Sequence, residues 1–252
     1  MTHHFVYVYV STSEYGNREL QWSIQSIRKY FKEDFKIFVF GTNPKVSKIH
    51  FVSVPQVRNK KFAKAIDSYV KLKAIAEHPL VNDKFIYMHD DMVFLRPFTF
   101  SDLNFSMASD YVKSLNEYVK AGKAGKHENY RAVFCNTMNL LKKKKLPRWN
   151  YETHCPKVFE KKKVLEIIEK YGLLSAKDVK TNKPYLFNSL YFNTFEKAPF
   201  DSLMHNNRFH QGFYSPFDMN VIERCCKNKL LLNFNDNGLS RDLQKFIYNK
   251  VL

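Results

Sequence analysis

Two periods of apolar positions run through the chain. Phe5–Val10 is a β-branched and aromatic run closed by Ser11, Thr12 and Ser13, which predicts a buried strand and a polar loop. Leu20, Ile24, Ile27 and Phe31 recur at three- and four-residue spacing and predict an amphipathic helix over residues 18–31. Phe35–Phe40 is a second apolar strand, ended by Gly41 and Pro44, and His50–Val54 a third. Phe62, Ile66, Tyr69, Val70 and Ile75 predict another helix, which leads through His78-Pro79 into a strand at Phe85–Met88. The order strand, helix, strand, strand, helix, strand predicts an α/β chain with a mostly parallel, Rossmann-type central sheet flanked by helices. Asn104–Ser109 is expected to add one more strand to that sheet, and the polar stretch 110–131 to be a connection.

The second half is less regular and is expected to be α+β. Val164, Leu165, Ile168 and Tyr171 mark a helix. Aromatic-rich segments follow at 185–195 and 208–217, then a strand at Leu230–Phe234 and a C-terminal helix near 240–251. The simplest organisation is one continuous domain with two halves, residues 1–125 and 126–252.

Composition fits a packed globule. Of 252 residues, 44% are hydrophobic and 16% aromatic, and 7 Gly and 9 Pro leave no room for low-complexity linkers. The formal net charge is +17, and both halves share it: residues 1–140 hold 20 Lys+Arg against 13 Asp+Glu, residues 141–252 hold 21 against 11. Such basicity favours nucleic acid, an anionic membrane surface or phosphate-bearing substrates. A lysine-rich solvated surface is the plain alternative, to which the runs Lys142–Lys145 and Lys161–Lys163 also conform. Cys135, Cys155, Cys225 and Cys226 fit neither a zinc ribbon nor a disulfide framework, so reduced thiols in a cytoplasmic protein are expected. The start, MTHHFVYVYV, reads as a strand rather than a signal peptide, and no apolar run approaches the ~20 residues that span a bilayer.

Residues 85–98, FIYMHDDMVFLRPF, drive an apolar strand into two adjacent aspartates. Buried carboxylates are costly unless neutralised, hydrogen-bonded or metal-bound, and open α/β sheets bind ligands at the carboxyl ends of their strands. A divalent cation on Asp91, with Asp90 beside it, suits the departure of a diphosphate. A solvated turn between two strands is the competing reading. Other chemistries lack their motifs: the chain has no glycine-rich phosphate cradle, no Gly-x-Ser-x-Gly elbow and no dinucleotide fingerprint.

Residues 17–98 resemble the core of nucleotide-sugar transferases with the A-type glycosyltransferase (GT-A) fold. More narrowly, they are similar to the "Stealth" family of capsule and sugar-phosphate transferases. The matching pieces are RELQWSIQSIRKYF, FKIFVFGTNP and FIYMHDDMVFLRPF, followed by NTMNLLKKKKLPRWNYETHCPKVFEKK with its His154-x-Pro156, and NFNDNGLS at 233–240. The family's first block is absent, replaced by VYVYVSTSEYGN, and His89 stands where many such enzymes carry the first acid of Asp-x-Asp. The resemblance implies a donor-binding half at 1–125 and an acceptor-binding half at 126–252. It implies a UDP-like sugar donor along the first strand and the loop before Asp91, with Ser11 among the residues that would bind it and Mg²⁺ or Mn²⁺ on Asp91. Asp90, Arg18, Arg58 and Lys64 then become candidates for binding the donor.

Two residues are candidates for the acceptor. His154, in ETHCP ahead of a helix, suits proton transfer or a structural turn. Asp236 suits a catalytic base, although Asn235-Asp236-Asn237-Gly238 is also strong turn chemistry. His210 is a third polar candidate. The expected activity is sugar transfer to a hydroxyl, either of a hydroxymethylated base in viral DNA, stacked on the aromatic-rich second half, or of a capsule or cell-surface polysaccharide at a membrane. A non-catalytic nucleic-acid-binding protein on a decayed transferase fold is the alternative of a different class.

Overall fold

The computed structural model describes residues 1–10, 18–58, 62–125, 127–174, 184–196, 199, 201–202 and 209–252. Strands β1 (His3–Tyr9), β2 (Phe35–Gly41), β3 (His50–Ser53) and β4 (Lys84–Met88) are mutually parallel, and β7 (Lys157–Glu160) closes the edge antiparallel to β4. Their spatial order is β3-β2-β1-β4-β7, so the chain reverses its direction of winding between β1 and β4. This is a mixed α/β architecture with a largely parallel central sheet, of the generic Rossmann-like kind.

Both faces of that sheet are covered, which is why its strands read as continuous apolar runs rather than alternating ones. Val6, Phe38, Phe40, Phe85 and Tyr87 face a core shared with α2 (Ala63–Glu77), α4 (Glu128–Lys143), α5 (Lys161–Lys170) and α6 (Phe187–Phe195). Phe5, Tyr7, Ile37, Val39, Ile86 and Met88 face a second core with α1 (Arg18–Tyr30). The apolar stretch after the aspartates becomes β5 (Met92–Phe94), an edge of a second sheet whose central strand, β10 (Leu231–Phe234), pairs antiparallel with β5 and parallel with β9 (His210–Phe213). The outer face of this sheet packs on α7 (Met219–Cys226) and α8 (Arg241–Val251).

Local chemistry explains several boundaries. Gly41 ends β2 at φ +132°, and a Cβ there would lie 2.0 Å from the Tyr9 carbonyl, so only glycine fits. In α1, Glu19 in the first turn and Arg28 and Lys29 in the last complement the helix dipole. Buried Ser26 accepts from the Phe94 N–H at 3.0 Å and so ties α1 to β5. Ser240 caps α8 by accepting from Leu243 N–H.

Three expectations need correction. Asn104–Ser109 does not extend the central sheet. Only β6 (Met107–Ala108) is extended, and it pairs with β8 (Asp201–Ser202) in a separate ladder, after a turn capped by Thr99 has redirected the chain. The stretch 110–131 is not a plain connection: it holds α3 (Leu115–Lys120), capped by Ser114, and the start of α4. His154 precedes β7 rather than a helix, because Lys157 and Phe159 bury one face of a short strand against β4. Among the described residues no helix is long and apolar enough to cross a membrane.

Candidate active site

Because β1 to β4 run parallel, their carboxyl ends share one edge, and antiparallel β7 starts from it. The crevice outside a winding reversal, here between β1 and β4, is where such sheets bind ligands. β4 ends there in His89-Asp90-Asp91, and β5 leaves at Met92.

Asp91 is held from two sides. Its Oδ2 accepts from His154 Nδ1 at 2.9 Å and lies 3.5 Å from Asn233 Nδ2. Its Oδ1 is buried and has no hydrogen-bond partner among the described residues. Burial alone would push this carboxyl up, but the hydrogen bonds from His154 and Asn233 hold it below the usual range. Asp90 behaves oppositely. Burial first, then the charges of Asp91 and Glu19, push it up to about 7, against the pull of backbone N–H groups. His89 is driven down to about 3 by burial and is neutral, its ring packed between Tyr87 and His154.

The support extends outward from Asn233, fully buried in β10. With Nδ2 turned to Asp91, its Oδ1 accepts from His210 Nε2, which assigns the proton to that nitrogen. Burial lowers the His210 pKa and keeps the ring neutral. Tyr214, half exposed, completes this side. A Cβ at Gly212 would lie 2.7–2.8 Å from its ring and hydroxyl, so glycine makes room for it.

The loop that carries His154 is braced along its length. Trp149 exchanges two backbone hydrogen bonds with the Asn193 amide, at 2.9 and 2.8 Å, and Tyr151 N–H donates to Ser189 Oγ at 3.2 Å. The partly buried Glu152 carboxylate accepts from Ser189 N–H and Oγ at 3.0 Å and from Asn188 at 2.9 Å, capping α6 from another segment. Burial raises its pKa. Buried Lys157 reaches back to the Thr153 and Cys155 carbonyls, and burial lowers its pKa. Under the ends of β1 and β2, buried Lys71 pairs with Asp67, whose other oxygen accepts from Val57 N–H at 2.9 Å and anchors the loop after β3.

Of the residues expected from the sequence, the structure brings Asp90, Asp91 and His154 together. Ser11 lies outside the described residues. Arg58 is exposed and donates to Gln56 at 2.9 Å; Lys64 is exposed in the first turn of α2; Arg18 is exposed at the start of α1. Asp236 is exposed in the turn after β10, where Asn235 Oδ1 accepts from Gly238 N–H at 2.9 Å. None of these four makes a hydrogen bond or ion pair to Asp90, Asp91 or His154 among the described residues. The aromatics of 185–195 pack in the core rather than presenting a stacking face. Asn233 and Glu19 escaped the sequence reading, and their signals are faint: one polar residue inside an apolar strand, one acid on the buried face of a helix.

Among the described residues no group of three or more His, Cys, Asp or Glu side chains is arranged to hold a metal by itself. Mg²⁺ commonly takes one or two carboxylates and completes its shell with substrate phosphates and water, and the orphaned Asp91 oxygen with the raised Asp90 suits that role. No protein-family model and no curated protein matches the chain.

Proposed function

We propose that the chain is a metal-dependent glycosyltransferase that moves a sugar from a nucleoside-diphosphate donor, UDP-sugar by preference, to an acceptor hydroxyl. Under this reading the Rossmann-like sheet is a GT-A-like one. The observation that supports it best is the buried, unpartnered Oδ1 of Asp91 beside an acid raised to about 7, both in the crevice at the winding reversal. Asp91 and Asp90 would hold Mg²⁺ or Mn²⁺, and the bound ion would neutralise charge on the departing diphosphate.

The chain's own residues supply the rest. His154 and Asn233 fix the Asp91 carboxylate, so one oxygen stays free for ligation. In the neutral tautomer that gives Nδ1–H to Asp91, Nε2 is the acceptor nitrogen of His154, and the side chain is half exposed. It can take the proton of an acceptor hydroxyl as that oxygen attacks the anomeric carbon. The pair resembles other carboxylate–imidazole arrangements in which the acid sets the tautomer. Asp236 is the alternative base, and Arg58 and Lys64 remain candidates for the donor's phosphates. The acceptor is a hydroxymethylated base in DNA or a saccharide. The test is a thermal-shift screen of nucleotide sugars with Mn²⁺. A stabilisation in the parent that Asp91→Ala abolishes supports the reading, and no shift with any nucleotide sugar overturns it.

A further inference from the structure

Helix α8 separates two open, basic cavities remote from the carboxylate pair. The first, about 650 Å³, is lined by Arg96, Lys227, Lys229, Lys245 and Lys250, with Glu223 its single acid. The second, about 480 Å³, takes Arg18, Arg28 and Lys45 and no acid. Arg96, Lys227, Lys245 and Lys250 enter no ion pair among the described residues. Arg28 is held in place by the Ser47 and Lys48 carbonyls, at 2.7 and 3.1 Å. Cations of one sign gathered in a recess repel each other and focus the field on whatever enters. Lys227, Lys245, Lys250 and Arg96 are exposed side chains, Lys250 lying 5.6 Å over the Phe246 ring.

We propose that the two cavities are one binding surface for the phosphodiester backbone of a nucleic acid. Lys245 and Asn249 face one cavity, Tyr248 and Leu252 the other, so the two anion sites lie on adjoining faces of a single helix. A helix with its side chains is about 10 Å across. That separation exceeds a single phosphate and corresponds to about three steps along one strand, at ~3.4 Å of axial rise per phosphate. A repeating polyanion fills both cavities, whereas a flat lipid surface does not reach into either. Tyr248, 57% exposed and lining the second cavity, offers a face on which a base can stack.

The placement fits the acceptor side of the transferase reading, on which only this step rests. β5 and the two residues after it lead from Asp91 to Arg96 at the first cavity, at most roughly 16 Å at about 3.3 Å per residue. A nucleotide extruded from a strand bound around α8 would be offered on the side of the molecule where β5 begins.

The experiment is a salt titration of binding to a labelled, unmodified DNA duplex. The parent should bind with a steep slope of log K against log salt. Lys227→Gln/Lys245→Gln/Lys250→Gln should flatten that slope by about 2 to 3 and weaken binding more than tenfold at 0.1 M salt. Its nucleotide-sugar thermal shift should be unchanged, while Asp91→Ala should bind DNA like the parent, so failure of the donor site and of this surface are told apart. If the triple variant is poorly folded, the single exposed change Lys245→Glu serves instead, with a flatter slope expected. An unchanged slope in a folded variant overturns the proposal. So does binding to phosphatidylserine vesicles without binding to DNA, or displacement of DNA by equimolar inorganic phosphate.

Discussion

Asp90 and Asp91 are neighbours in one recess, yet their carboxyls are driven apart: one held ionised by His154, the other raised to about 7. Two acids with divided protonation are a recurrent mark of a working site. The raised acid has a stability consequence. Asp90 binds its proton more tightly folded than unfolded, so stability falls as pH climbs from about 4 to about 7 and is level above. The full shift corresponds to about 4 kcal/mol, and less is expected because part of the side chain still meets solvent. Asp90→Asn should therefore be more stable than the parent at pH 8 and equal to it near pH 4 in denaturant titrations. Added Mn²⁺ should narrow the gap at pH 8 by favouring the ionised parent. A variant less stable at pH 8 would remove the burial argument. His154→Ala should lower the rate of donor turnover by about 10²-fold or more, measured with saturating donor. An undiminished rate would exclude His154 as the base.

At the scale of elements, the segment 149–157 matters most, because it is irregular backbone that must deliver one imidazole to one carboxylate. Its rigidity is borrowed from α6 through Glu152 and Asn193. Glu152→Ala removes the acceptor of the Ser189 N–H and hydroxyl and of the Asn188 amide at the α6 N-terminus, and should cost about 1–3 kcal/mol in chemical denaturation. Glu152→Gln, which keeps an acceptor, should recover part of that loss. Equal stability of the Ala variant and the parent would refute the brace. These contacts explain what the sequence could show and what it could not. β1, β2 and β4 showed as continuous apolar runs because both sheet faces are buried, and α1 showed a helical period because one of its faces is. Glu152 and Lys157 gave no such signal. They look like ordinary surface charges, and only the fold reveals that α6 and a turn claim them. The short β5 and β7 were hidden for a related reason: three or four residues are too few for a period to declare itself.

For the whole molecule, the edge shared by four parallel strands gathers residues 88–91 and 153–157 at one crevice, while the second sheet and α8 carry basic surface on the far side of β5. The carboxylate pair was legible because acids after an apolar strand are conspicuous. His154 was legible as a candidate, but its attachment to Asp91 required knowing that β7 returns antiparallel beside β4. Net charge pointed to a polyanion without locating it, since lysines on a solvated face and lysines in a recess are the same letters. The central claim concerns the crevice, and one measurement reaches it most directly: release of UDP from UDP-sugars by the parent and by Asp91→Asn, each with Mn²⁺ and with EDTA. Slow hydrolysis by the parent that requires the metal and disappears in the variant is the predicted result. Hydrolysis that survives both EDTA and the loss of the Asp91 charge would contradict it.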